Sequence, residues 1–173
     1  MRDQPRLVLR PARSDELEVL QALEDAAAAP FRGVGMDAVA DDDPPSTVVL
    51  RGALDRGGLW VLDEGGRPVA YLMDDVVDGE AHLEQVSVHP DHARQRLGAR
   101  LVSDLLARAR AAGRHAVTLT TYVDVPWNGP YYERLGFRRL ADDELGPELR
   151  AIRRAEAARG LDRWPRTAMR RDI

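Results

Sequence analysis

The twenty residues from Leu83 to Val102, LEQVSVHPDHARQRLGARLV, limit what this chain can fold into more than any other stretch. Leu83, Val86 and Val88 stand among polar residues with strand periodicity, and Pro90 ends that pattern. A basic turn carrying Arg94, Gln95 and Arg96 follows, and Leu97, Leu101 and Leu105 then repeat at helical spacing. The segment therefore predicts a strand, a tight basic turn and a helix from about Leu97 to Ala112, stopped by Gly113. The next apolar run, HAVTLTTYV, must return beside the first strand, and a strand–helix–strand order makes that pair parallel.

The rest of the chain surrounds this unit. LVLRPA reads as a first strand, and Ser14-Asp15-Glu16 opens a helix through Leu17, Leu20 and Leu23 to Ala28, closed by Pro30. Phe31 to Ser46, with two glycines, Asp41-Asp42-Asp43 and Pro44-Pro45, reads as a loop, and Ser46 to Arg56 as a second helix. Glu64-Gly65-Gly66-Arg67 and Asp78-Gly79 divide the middle into three antiparallel strands. After DVPWNGPYYERLGFRRL come a helical stretch from Glu144 to Arg159 and a last strand in RWPRTAMRRDI. The pattern is a mixed α/β fold in one domain, as 173 residues with 44% hydrophobic content suggest.

Composition removes several chemistries. The chain has no cysteine, which excludes disulfides, thiolate metal sites and a cysteine nucleophile. All 25 fixed side-chain cations are arginine, so a phosphate-loop lysine and a Schiff-base lysine are excluded too. A net charge of −4 argues against a dedicated nucleic-acid binder. Neither an apolar leader nor a run of about 20 apolar residues is found, so no membrane partner and a cytoplasmic location are expected. His89 and His92 have metal-ligand spacing but span a proline turn without a nearby thiolate, so no metal is expected.

A helix that starts directly after a strand offers unpaired backbone N–H groups and the positive end of its dipole, an arrangement that binds phosphate. Arg94, Gln95 and Arg96 add donors around those amides, and Gly98 lets a ligand approach the backbone. Basic residues before a helix also occur as plain solvated surface.

Val88 to Leu101, together with YYERLGF at Tyr131 to Phe137, resembles the two signatures of the GNAT superfamily of N-acetyltransferases, in the right order and separation. The resemblance implies a single domain over residues 1–173, with a helical insertion at 141–165. It implies a central, mostly antiparallel, splayed sheet of about six or seven strands flanked by helices, one parallel pair forming the cleft for CoA. Acetyl-CoA is then the co-substrate, and a primary amine the acceptor. The family's phosphate-loop pattern is Arg or Gln, two residues, Gly, one residue, then Gly or Ala. It falls on Ala93, Arg96 and Gly98, of which Gly98 alone fits.

By the same resemblance, the amides of Arg94, Gln95, Arg96, Leu97, Gly98 and Ala99 wrap the pyrophosphate, and Val86, Ser87 and Val88 carry the pantetheine arm through their backbone. The Val86 N–H is then the oxyanion donor. Tyr132 stands where such enzymes keep a tyrosine that protonates the departing CoA thiolate. An alkylamine of pKa ~10.4 is charged at pH 7, and neutralising it costs roughly 4.6 kcal/mol. Glu84 shares a strand face with Val86 and Val88 and is the expected base, or else a solvent-facing carboxylate. Asn128 either reaches the cofactor or caps the following short helix, and Trp60 and Trp127 either line the acceptor pocket or pack. The 144–159 helix could cover the acceptor site or join two copies in a homodimer. Two other readings fit the same fold: an acyl-CoA sensor without turnover, and an acetyltransferase acting on aminoacyl-tRNA, which the net negative charge disfavours.

Overall fold

The computed structural model describes residues 6–173, so the part of the chain's start before Arg6, read above for a leader, lies outside it. Among the described residues no helix is long and apolar enough to cross a membrane. The strands are β1 (Leu7–Pro11), β2 (Leu59–Glu64), β3 (Arg67–Val77), β4 (Glu80–Val88), β5 (Ala116–Tyr122), β6 (Arg138–Arg139) and β7 (Arg166–Asp172). The helices are α1 (Leu17–Ala28), α2 (Asp37–Ala40), α3 (Thr47–Asp55), α4 (Leu97–Ala111), α5 (Gly129–Arg134) and α6 (Pro147–Ala158). The fold is α/β, with a seven-stranded sheet in the order β1-β2-β3-β4-β5-β7-β6. It is mostly antiparallel, and its one parallel pair is β4 with β5, as the strand–helix–strand order requires.

The chain divides into two compact units. The first comprises residues up to Asp74 and Gln85–Asp104. Here β1 and β2 pair antiparallel from Leu7↔Glu64 to Pro11↔Trp60, and β2 pairs with β3 through a bulge at Leu62/Asp63. Leu17, Leu20 and Leu23 of α1 and Leu50 and Ala53 of α3 bury against Leu59, Val61, Tyr71 and Met73. Residues spaced by three or four along each helix thus cover alternate residues of the strands.

Arg10 joins Glu16 at 2.5 Å and also Asp63, tying β1, β2 and the start of α1 together. Glu16 therefore occupies the cap position of α1 in place of Ser14, but its carboxylate turns to Arg10 and the Arg13 amide and does not cap the helix. Ser46 does cap α3, accepting from the Val49 amide at 3.3 Å.

The expected loop after Phe31 is more ordered than its composition suggests. Helix α1 ends at Ala28, as Pro30 predicts, and Pro30 itself sits at the start of a 3₁₀ turn over Ala29–Val34, where a missing N–H costs nothing. Helix α2 follows, and its side of the loop is held by an ion pair from Arg32 to Asp41.

The second unit comprises Asp75–Glu84 and Leu105–Ile173. In it β5 pairs with β4 from Ala81↔Val117 to Leu83↔Leu119, and with β7 along its whole length. Val77, Leu149 and Ala168 form a small core with Leu140, Leu145 and Ile152 packed on it. The expected helix from Glu144 starts later, because Gly146 and Pro147 set its first turn and Asp142–Glu144 form a separate 3₁₀ turn. Its cap comes from far away: the Asp78 carboxylate accepts from the amides of Glu148 and Leu149, both at 2.9 Å, and the Asp78 amide donates back to the Glu148 carboxylate. Asp78 and Gly79 both have positive φ, as a two-residue hairpin turn demands.

Candidate active site

The basic turn is built by restraint on both sides. His89 donates its amide to the Val69 carbonyl at 2.9 Å, and its Nδ1 accepts from the Asp91 amide at 3.2 Å. His92 Nε2 meets Glu64 at 2.9 Å. A 3₁₀ turn over Pro90–His92 then delivers the chain to Ala93. Arg94 and Arg96 follow with φ of 64° and 59°, left-handed conformations that cost a non-glycine residue roughly 1–2 kcal/mol each. Where the family pattern has glycine, Arg96 thus adopts the glycine conformation.

The carbonyl of Arg96 accepts the first bond of α4, from Arg100 at 3.0 Å. Among the described residues, the amides of Gln95, Arg96, Leu97, Gly98 and Ala99 find no protein acceptor. This 15-residue helix thus begins with unpaired N–H groups directly after a turn that carries Arg94 and Arg96, a set of donors suited to a pyrophosphate.

Along β4, Glu84 is exposed, Val86 and Val88 are half-buried, and Ser87 is buried. The Ser87 side chain turns to α1: its Oγ donates to Glu24 and accepts from Gln85 Nε2 at 2.9 Å. Glu24 is a residue that reading for motifs passes over. It accepts from Tyr71 Oη at 2.9 Å and from Gln85 Nε2 at 2.8 Å, and burial raises its pKa above the usual carboxylate value. Tyr71 is fully buried, and desolvation, with the Glu24 charge adding, holds its phenol protonated. The sequence did carry a signal: Glu24 lies four residues after Leu20 and seven after Leu17, on the apolar stripe of α1.

In the second unit, Tyr132 sits on α5 with its ring edge-on to Tyr131 at 5.5 Å and to Phe137 at 5.8 Å. It is buried, and desolvation, followed by the neighbouring Tyr131, raises its pKa well above that of free tyrosine. The turn before α5 is tight: a Cβ at Gly129 would lie 2.6 Å from the Val123 carbonyl oxygen. Asn128 occupies the cap position but does not cap with its side chain, whose Oδ1 instead accepts from the Thr121 hydroxyl at 2.8 Å. Trp60 is half-buried, with its indole N–H on the Gly57 carbonyl, and Trp127 is 39% exposed.

Solved structures share the fold at low identity. N-acetylglutamate synthase from Neisseria gonorrhoeae, complexed with coenzyme A and N-acetyl-glutamate, superposes with a TM-score of 0.70 at 17% identity. That comparison covers 99% of this chain but 36% of the Neisseria protein, so the chain spans about a third of its length. The PaiA N-acetyltransferase from Thermoplasma acidophilum in complex with coenzyme A gives 0.72 at 10% identity, covering 97% of this chain and 99% of that one. A GNAT-family acetyltransferase from Staphylococcus aureus gives 0.72 at 11% identity, covering 96% and 99%. The sequence model of the Acetyltransferase (GNAT) family matches residues 19–137, a span that includes most of α1, the β4 strand with its basic turn, and the Tyr132 helix, and the chain belongs to that family.

Proposed function

We infer that this protein is an acetyl-CoA-dependent N-acetyltransferase that moves an acetyl group to a primary amine by direct transfer. The observation that carries the reading is the start of α4: unpaired amides from Gln95 to Ala99 after Arg94 and Arg96, where the resemblance places the phosphate loop. Coenzyme A in the Neisseria and Thermoplasma structures supports the same co-substrate here.

In this reading the pyrophosphate takes the loop amides, and the backbone of Val86 to Val88 pairs with the pantetheine amides. The Val86 N–H stabilises the oxyanion of the tetrahedral intermediate. Tyr132, kept protonated by burial, donates a hydrogen bond to the departing thiolate, whose ordinary pKa of about 8.5 lies below that of the phenol. Such a pairing stabilises the leaving group through a strong hydrogen bond, the phenol keeping its proton, and the thiol's proton comes from the amine nitrogen as the intermediate collapses. The amine must lose a proton to a carboxylate, and Glu84, which strand alternation places on the face of Val86 and Val88, is the candidate read from the sequence. With no cysteine in the chain, an acetyl-cysteine intermediate is excluded.

Isothermal titration of acetyl-CoA, dephospho-CoA and the Arg96→Glu variant tests this. Micromolar acetyl-CoA binding that survives removal of the 3′-phosphate and is lost in Arg96→Glu is expected; no binding at millimolar acetyl-CoA refutes it. Thiol release with a panel of primary amines separates an enzyme from a sensor, since a sensor binds the ligand and releases no thiol.

A further inference from the structure

The Glu24 carboxylate is half-buried among neutral groups. Tyr71 Oη, Ser87 Oγ and Gln85 Nε2 all donate to it, and together they fill three of its roughly four lone-pair positions. Among the described residues no arginine or histidine pairs with it, and the adjacent Asp25 disfavours its charge. A desolvated carboxylate surrounded by neutral donors lacks the cation that normally accompanies a buried charge. The open position lies on Oε1, which accepts from Gln85 alone, and Glu24 is only partly buried.

Its place along β4 gives the missing cation a role. Gln85 and Ser87, which Glu24 holds, alternate with Glu84, Val86 and Val88, so their side chains leave the opposite face of the strand. Glu24 and Glu84 therefore serve different faces of β4.

Building on the acetyltransferase reading, we propose that Glu24, held by Tyr71, Gln85 and Ser87, binds the ammonium group of the acceptor and takes its proton, in place of Glu84. The ammonium R–NH3+ passes one proton to the Glu24 carboxylate and becomes R–NH2. Its lone pair forms the new N–C bond to the acetyl carbonyl carbon, and the C–S bond breaks as the intermediate collapses. The second proton leaves nitrogen during that collapse, the thiolate ends as the free thiol, and Glu24 returns the first proton to solvent. The raised pKa of Glu24 makes it a stronger base than an exposed carboxylate.

The test is amide NMR of the full 15N-labelled chain titrated with n-butylammonium chloride, with n-butanol as the uncharged control. Saturable shifts of the Glu24, Gln85 and Ser87 amides are expected with butylammonium, absent with butanol, lost in Glu24→Gln and retained in Glu84→Gln. No saturable shift, an equal response to butanol, or a response that survives Glu24→Gln overturns the proposal. Tyr71→Phe keeps the charge, so it retains the response. Should Glu24→Gln not fold, the contrast between butylammonium and butanol on the native chain still decides. Acetyl-CoA titrated into the same samples keeps the two readings apart: binding of acetyl-CoA without butylammonium refutes the Glu24 role, and butylammonium without acetyl-CoA refutes the acetyltransferase.

Discussion

His82 of β4 and Thr118 of β5 face each other across the parallel ladder, and the His82 Nδ1 lies 2.8 Å from the Thr118 hydroxyl. The imidazole is almost wholly buried, and desolvation lowers its pKa to about 4, against a partial opposing pull from Glu156, Asp75 and Asp78. The unfolded chain takes up a proton near pH 6.5 and the folded one near 4, so this stability is complete above about 6.5 and is lost as pH falls toward 4. It amounts to roughly 3 kcal/mol at most. His82→Gln should flatten the fall of urea midpoint between pH 6.5 and 4; an unchanged slope would refute the assignment.

Relief of the left-handed turn is expected from Arg96→Gly. Glycine adopts the observed φ of 59° freely, and after its own entropic cost the folded state should gain about 0.5–1 kcal/mol by chemical denaturation. The same change removes a guanidinium from the phosphate loop. Acetyl-CoA affinity should fall about tenfold at low salt, with the deficit shrinking as salt rises.

Tyr132→Phe keeps the ring contacts with Tyr131 and Phe137 and deletes the hydroxyl. Thiol release should slow on the order of 10²-fold while acetyl-CoA affinity, by titration, stays within about twofold. A variant that turns over normally would remove Tyr132 from the chemistry.

Gly146→Ala should destabilise the protein despite a backbone that alanine tolerates, because its Cβ would lie 2.4 Å from the Asp78 carboxyl carbon. Asp78→Ala should cost about 1–2 kcal/mol by removing the α6 cap. The double variant should lose less than the sum, since each change disrupts one contact. Thermal melts of all three check this.

What was legible in the sequence was local. The hairpin glycines, the strand–turn–helix of Leu83 to Val102 and the YYERLGF signature each place their cause within a few residues of their effect, and the structure bears out the elements they predict. Ser46 shows the same rule for a cap. Pro30 closes α1 as read, and the 3₁₀ turn that follows was not legible because a proline also suits the first position of such a turn. Asn128 has a side chain equally able to cap or to bond across the turn, and Thr121, which lies seven residues away, decided the matter. Glu24 was invisible as chemistry because its three partners lie 47 to 63 residues further along the chain.

The remote cap on α6 also bears on the order in which this chain can fold. A 12-residue helix is marginal in water, and this one starts at a glycine with no side chain to cap it. Its first-turn amides are satisfied by a residue 70 positions earlier, within the β3–β4 turn. Helix α6 thus consolidates only once that hairpin exists and the long intervening loop has closed. On a ribosome or in refolding, the C-terminal quarter of the chain is therefore the last to become resistant to proteases, whatever its own helix propensity.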